Sequence, residues 1–328
     1  MSRVTVLMAV FNGGRYIRKA VDSVLGQTLR DIQLICIDDA SNDQTPVILA
    51  EYARKDPRVK VITHTANTGQ AVARNDGIAV AGGDYVTMVD ADDWISPDAL
   101  EKAVAALDSD ERMGCVLLDL RYVYPDRETS YPMRTGKRLW SGMEAFELSL
   151  DWSVHGLYVA RAGLFREYPY DTACRLYSDD NTTRLHYLHS GVVGFCDGIY
   201  YYRQHSGSMT NAESIRRYDL LEANTSMMRQ LRSESLPDTV LARFERERWI
   251  NLTGIGIYWM EHEGRTGATP ENALLKARLK AVYDDVDRNL LPLALRCKFG
   301  YRPCRNFERY LSAVRRYNNV RKLLRRSR

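Results

Sequence analysis

Between Val4 and Val89 four runs dense in Val, Ile and Leu are separated by three stretches of helical periodicity, and this alternation restricts the fold more than any other feature of the chain. It predicts strands at Val4–Val10, Ile32–Asp38, Val59–Thr63 and Tyr85–Val89, with helices at Tyr16–Leu25, Thr45–Tyr52 and Gly69–Val80. Strands that are apolar at nearly every position are buried on both faces, which implies a parallel sheet covered by helices. Strand and helix in strict turn read as right-handed βαβ units. In such sheets ligands bind beyond the carboxyl ends of the strands. The chemically loaded residues cluster there: Phe11 and Asn12, Asp38 and Asp39, Asn67, and Asp90 to Asp93.

The fourth strand empties directly into Asp90, Ala91, Asp92 and Asp93. Three carboxylates so close repel one another unless a cation lies among them. Mg²⁺ or Mn²⁺ suits such a site, because both prefer oxygen ligands and commonly carry substrate phosphates as further ligands. The alternative is a solvated acidic turn ahead of a helix starting near Ser96-Pro97.

With 328 residues, 45% hydrophobic and 27% charged, the chain has ordinary globular composition and room for one large domain with an appendage, or two domains. Its six cysteines form no C-x-x-C pair, which fits a reduced, cytosolic setting better than a disulfide scaffold. The apolar run between Met1 and Phe11 is too short for a secretion signal and reads as the first strand. No segment approaches the roughly 18 apolar residues of a membrane span. Zinc spacing, a P-loop and a dinucleotide fingerprint are all missing. From Met113 to Thr210 shorter strands and Tyr-rich turns take over, and the periodicity of 213–232, 239–262 and 271–291 is helical. Net charge is +4, yet Arg296 to Arg328 carries twelve Lys and Arg against Glu308 alone, leaving a net −7 on the preceding residues. Basic and apolar residues mix along this tail, as in an interfacial helix on an anionic membrane; a solvated end or a helix packed on the acidic body is the other reading. Without an aromatic platform or recognition motif, nucleic acid is not an expected partner.

Five segments carry a family resemblance. Val4 to Gly13, Ile37-Asp38-Asp39-Ala40-Ser41-Asn42-Asp43, Asn67-Thr68-Gly69-Gln70-Ala71-Val72-Ala73-Arg74-Asn75 and Asp90-Ala91-Asp92-Asp93 resemble, in order and spacing, the motifs of family 2 glycosyltransferases of the GT-A fold. Tyr177 to Asp180, followed by Tyr201 to Thr210, resembles the later acidic motif and closing loop. The match is dense over 1–105, patchy over 106–210 and absent beyond about 215. It implies an α/β fold: a doubly wound, Rossmann-like mixed sheet over 1–212, with a nucleotide-sugar half (1–110) and an acceptor half (111–212). A helical region with the basic tail follows over 213–328.

The resemblance also implies roles. Asp39 would accept hydrogen bonds from a uracil ring and Phe11 would lie against that base; capping of the next helix is the competing role for Asp39. Arg74 would reach the nucleotide, Asp90 the ribose and metal region, and Asp92 the metal, with Asn12, Asn67 and Ala91 on the same donor side. Asp180 would be the base that deprotonates the acceptor, beside Asp179, which replaces the usual Glu; both also suit the N-cap of a helix Asn181–His189. Arg203 and Ser208 would cover the diphosphate, and His205 would add a metal ligand. His155 heads a stretch resembling the family's acceptor-side strand. The expected activity is metal-dependent, inverting transfer from a nucleotide sugar, UDP-linked, to a hydroxyl of a glycan or lipid-linked acceptor in surface polysaccharide (lipopolysaccharide or capsule) synthesis. The cofactor would be Mn²⁺ or Mg²⁺, and the setting cytoplasmic, peripheral on the inner membrane face. A sugar nucleotidyltransferase and a catalytically inactive GT-A binding protein are the rival readings.

Overall fold

The computed structural model describes residues 2–174, 176–205, 218–262, 269–296 and 306–326. The chain divides into two compact units, Met1–Ala212 and Glu213–Arg328.

The first unit runs β1 (Val4–Val10), α1 (Ile17–Leu25), β2 (Ile32–Asp38), α2 (Thr45–Lys55), β3 (Val59–Thr63), α3 (Gln70–Ala79), β4 (Tyr85–Met88), β5 (Trp94–Ile95), α4 (Ala99–Ser109), β6 (Met113–Val123), β7 (Glu128–Ser130), β8 (Leu139–Ser141), α5 (Gly142–Ser149), β9 (Tyr158–Arg161), α6 (Ala162–Glu167), α7 (Ser178–Leu188) and β10 (Val192–Arg203). The strands form one sheet in the order β3-β2-β1-β4-β9-β6-β10-β5, with β7 on β6 and β8 on β10. As the alternation predicts, β3, β2, β1 and β4 are mutually parallel, with Val4 opposite both Ile32 and Tyr85. Every residue of β2 is buried, the consequence of helices covering both faces. β9 then enters antiparallel between β4 and β6, so the sheet is mixed.

β10 governs the far half. Its register against β6 shifts between Phe195 and Ile199, and this irregularity re-aims the strand end that carries Tyr200 and Arg203. Gly198 sits inside it, where a Cβ would come 2.7 Å from the Ala99 Cα atom; only glycine lets α4 approach so closely. Antiparallel pairing of Tyr200 with Ile95 and Tyr201 with Trp94 then returns the β10 end to the Asp90–Asp93 turn.

One prediction is corrected here. α7 begins at Ser178, not Asn181, and its N-cap position is Tyr177 in the left-handed conformation with no side-chain cap. Asp179 and Asp180 therefore lie inside the first helical turn, where Asp179 Oδ1 accepts from the Asp180 backbone N–H at 3.2 Å.

The second unit contains α8 (Asp219–Ser233), α9 (Asp238–His262), α10 (Pro270–Asp285), α11 (Leu293–Arg296) and α12 (Phe307–Arg326). Trp249, Leu252, Leu275, Leu279, Tyr283, Tyr310 and Val314 form its core. The first half of α12 packs into this core, while Val320, Leu323 and Leu324 further along are exposed. Among the described residues, no helix is long and apolar enough to cross a membrane. Cys36, Cys115, Cys174 and Cys196 are buried thiols outside any disulfide among the described residues; Cys297 and Cys304 lie outside the described residues.

Candidate functional site: carboxylates at two strand ends and the start of a helix

The first carboxylate is Asp39. Its Oδ1 accepts from the Thr68 backbone N–H at 2.8 Å and the Thr68 hydroxyl at 2.9 Å, and lies 2.8 Å from His64 Nδ1; Oδ2 accepts from Gly69 N at 2.8 Å. Burial works to raise its pKa, but these donors, led by the Thr68 backbone, hold it below the ordinary carboxylate range. Asp39 caps no helix: α2 starts at Thr45, whose N–H is taken by Asp43. Its Oδ1 is filled by protein, leaving the outer lone pair of Oδ2 for a ligand. Asn67 donates to the Asp39 carbonyl at 3.2 Å. Asn12, at φ 55°, locks the neighbouring loops together, donating from its N to Ser41 Oγ at 2.8 Å and accepting from Asn42 N at 2.9 Å. Phe11 stands beside them 51% exposed, an open aromatic face where the sequence places a base-stacking ring.

His64 carries more than its sequence context suggests. Besides Asp39, its Nε2 lies 3.0 Å from Asp76 Oδ2 of α3. Its position just past the end of β3 is the one signal that marks it.

The second group is the turn after β4. Its three carboxylates point in different directions, so they are not one metal cluster. Asp90 Oδ1 accepts from Arg74 Nη2 at 2.9 Å and Gln70 Nε2 at 3.4 Å. Burial raises the Asp90 pKa against the pull of Arg74. Asp92 Oδ2 lies 2.9 Å from His205 Nε2, bringing the two predicted metal ligands together, with Ala91 between the two aspartates. Asp93 turns inward, accepting from Tyr200 OH at 2.9 Å and Arg203 N at 2.8 Å. Burial, then Asp90 and Asp92, pushes its carboxyl well above the usual range. Its task is to fasten the end of β10, an attachment reinforced by Arg203 Nε donating to the Asp92 carbonyl at 2.7 Å. The Arg203 guanidinium lies over Tyr16 and Trp94, and the His205 ring packs 5.0 Å from Tyr16. Ser208 lies outside the described residues.

The third group is the acid pair in the first turn of α7. Asp179 is half exposed, 3.8 Å from Arg74 Nη1. Asp180 is half-buried; burial first, then the charge of Asp179, pushes its carboxyl up to about 7, against the pull of Arg184. Arg74 joins the second group to the third. It is buried, with charges on Asp90 and Asp179 to either side and the Tyr170 ring 5.1 Å away. Tyr170 is held by Asn75, which donates to its carbonyl at 2.8 Å and accepts from its N–H at 2.9 Å. That pair of hydrogen bonds accounts for the Asn after Arg74: it pins the segment leading to α7 against α3.

His155 is corrected. Its ring is buried, Nδ1 accepting from Leu157 N at 3.3 Å with Tyr131 edge-on at 5.1 Å. Burial drives its pKa down to about 3, so it stays neutral, and Tyr131 rather than His155 is the ring nearer the surface.

Among the described residues, no three His, Cys, Asp or Glu side chains are grouped to hold a metal. The Asp92 carboxylate and the His205 imidazole are a donor pair whose chemistry would fit a hard cation completing its shell with water and phosphate oxygens.

Residues 5–170 match the sequence model described as Glycosyl transferase family 2. The chain is 27% identical over 303 residues to the glycosyltransferase GlyG of Streptococcus pneumoniae serotype 4, covering 87% of this chain and 98% of that one. Its fold resembles S. aureus TarS 1–349 in complex with UDP-GlcNAc, with TM-score 0.78 at 18% identity, over 97% of this chain and 92% of the other. It also resembles, at TM-score 0.56 and 19% identity over 96% and 86% of the two chains, the mannosyltransferase PcManGT from Pyrobaculum calidifontis in complex with GDP-Man and Mn²⁺.

Proposed function

The chain belongs to glycosyl transferase family 2, and on that premise we propose that it moves a sugar with inversion from a UDP-sugar to a hydroxyl of a glycan or lipid-linked glycan in surface polysaccharide synthesis. The observation that supports this most is Arg74, which joins Asp90 on the donor side to Asp179 beside Asp180. A displacement needs donor and base held in one frame, and a buried guanidinium between them supplies it.

In this reading Phe11 stacks on the base while Asp39, kept ionised by its loop, accepts a base N–H through Oδ2. The complex of S. aureus TarS with UDP-GlcNAc supports a UDP donor. Asp92 and His205 would hold Mn²⁺ or Mg²⁺, which neutralises charge developing on the departing diphosphate; the Mn²⁺ complex of the mannosyltransferase supports this. Arg203, fixed by Asp93 and the Asp92 carbonyl, presents its guanidinium beside that pair. Asp180 takes the acceptor proton as the acceptor oxygen attacks the anomeric carbon opposite the leaving group. A carboxyl titrating near 7 suits that role at neutral pH.

The nucleotidyltransferase reading is disfavoured by the β1–α1 loop. That class wants phosphate-cradling N–H groups there, whereas Asn12 N and Gly14 N are spent on Ser41 Oγ and Asp43 Oδ2. The test is a coupled assay. Release of UDP from UDP-sugars in the presence of Mn²⁺ supports transfer, pyrophosphate from UTP and a sugar phosphate supports the rival, and no turnover of either supports an inactive binding protein.

A further inference from the structure

We propose that the C-terminal half of α12 is a preformed docking face for an anionic lipid surface. α12 is a fixed element. Asn306 Oδ1 accepts from Arg309 N at its start, and Phe307, Tyr310, Leu311 and Val314 are buried in the helical core. Further along, Asn318 Nδ2 donates to Glu261 at 2.7 Å and Lys322 pairs with the same carboxylate. Past this anchor the apolar residues face outward: Val320 is 48%, Leu323 67% and Leu324 64% exposed. Their spacing of three and four places them on one face, with Arg316 one turn earlier. Arg315, Arg316 and Arg321 are exposed, and among the described residues none of them has a carboxylate within ion-pair distance, unlike Lys322.

The end of this helix leaves three large aliphatic side chains in water beside these arginines. Aliphatic side chains beside exposed guanidinium groups match the boundary of an anionic bilayer, where apolar groups enter the acyl region and cations meet headgroup phosphates. Nucleic acid would use the arginines but has no partner for the leucines, which lie where an aromatic stacking ring would be needed. The inference does not depend on sugar transfer, and its test reads binding alone.

The test is sedimentation of the full chain with vesicles of phosphatidylcholine, alone or with about 30% phosphatidylglycerol, at about 50 mM and about 0.5 M salt. Binding is expected to the anionic vesicles at low salt and to weaken strongly at high salt. Each surface cation contributes roughly fivefold, so Arg315→Gln/Arg316→Gln/Arg321→Gln should lower partitioning roughly a hundredfold. Leu323→Ser/Leu324→Ser should lower it at least about tenfold without changing charge. All five positions are exposed, so the helical circular dichroism should persist. Deleting the helix after Phe307 would instead strip Tyr310, Leu311 and Val314 from the core and is not used. Failure of the wild-type chain to sediment, or equal binding by the leucine pair variant, overturns the proposal. So does binding of a single-stranded RNA oligomer that depends on the arginines but not the leucines.

Discussion

His205 Nε2 lies 2.9 Å from Asp92 Oδ2, across 113 residues of sequence. The two meet because β10 is fastened to the Asp90–Asp93 turn by Asp93, through Tyr200 OH and Arg203 N. Asp92 and His205 are thereby presented together without being bonded into the core, as cation ligands need to be. Excess EDTA is expected to abolish UDP-sugar turnover and Mn²⁺ to restore it. Asp92→Ala should lower kcat by about a hundredfold or more, and His205→Ala by about tenfold, with the thermal midpoint unchanged. Full turnover in EDTA would remove the metal from the account.

Asp180 gives a pH prediction with a definite sign. Its carboxyl is raised to about 7, so it is protonated below that pH and cannot accept a proton. The acceptor kcat/KM should fall about tenfold per pH unit below about 7 and level off above it. The same shift makes Asp180 a cost to the fold as pH rises from its unfolded value through 7, so Asp180→Asn should raise stability slightly at pH 8 while removing transfer and sparing UDP binding. Asp179→Asn should be milder and move the acid limb to lower pH, because the second-largest cause of the shift is gone. Reversed severities would exchange the roles of the pair.

The Asn75–Tyr170 double hydrogen bond predicts a split between chemistry and binding. Asn75→Ala leaves two backbone groups of Tyr170 without partners, at a cost of about 1–3 kcal/mol in stability. It should also loosen the segment leading to α7, so kcat falls more than UDP affinity does. A variant that binds UDP more weakly at normal kcat would contradict this assignment.

His64 and Asp39 predict the opposite split. Asp39→Ala should weaken UDP binding by about tenfold or more with little change in kcat at saturation, since a base contact is made equally before and during reaction. His64→Ala should weaken it less, because Thr68 and Gly69 still hold the carboxylate. Equal UDP dissociation constants for wild type and Asp39→Ala, measured calorimetrically, would exclude the base contact.

Much of the first hundred residues was legible in sequence because a buried parallel strand writes itself as a continuous apolar run, and its ligand residues follow at the strand end. Asp39, Asp90, Asp92 and Arg74 stand out as candidates on that ground and by family resemblance. The acceptor half was less legible: its strands are short, and the β10 irregularity has no periodic signature. α7 starts at Ser178, three residues ahead of the Asn181 start that a side-chain cap predicts, because a left-handed Tyr177 precedes it in place of such a cap.

The sequence by itself determined the four parallel strands, the carboxylates at their ends and the basic, partly apolar final helix, all of which rest on local periodicity and composition. Only the tertiary structure decided that Asp93 turns inward, that His64 holds Asp39, that Asn75 grips Tyr170, that Arg74 stands between Asp90 and Asp179, and that Leu323 and Leu324 remain in water. Most of these are pairings between residues far apart in the chain, 95 positions for Asn75 and Tyr170 and 110 for Asp93 and Arg203. Local propensity sets each residue's own backbone and burial; which distant group it meets is fixed by strand order, by the placing of β9 against β4 and by the pairing of the β10 end with β5 beside the Asp90–Asp93 turn.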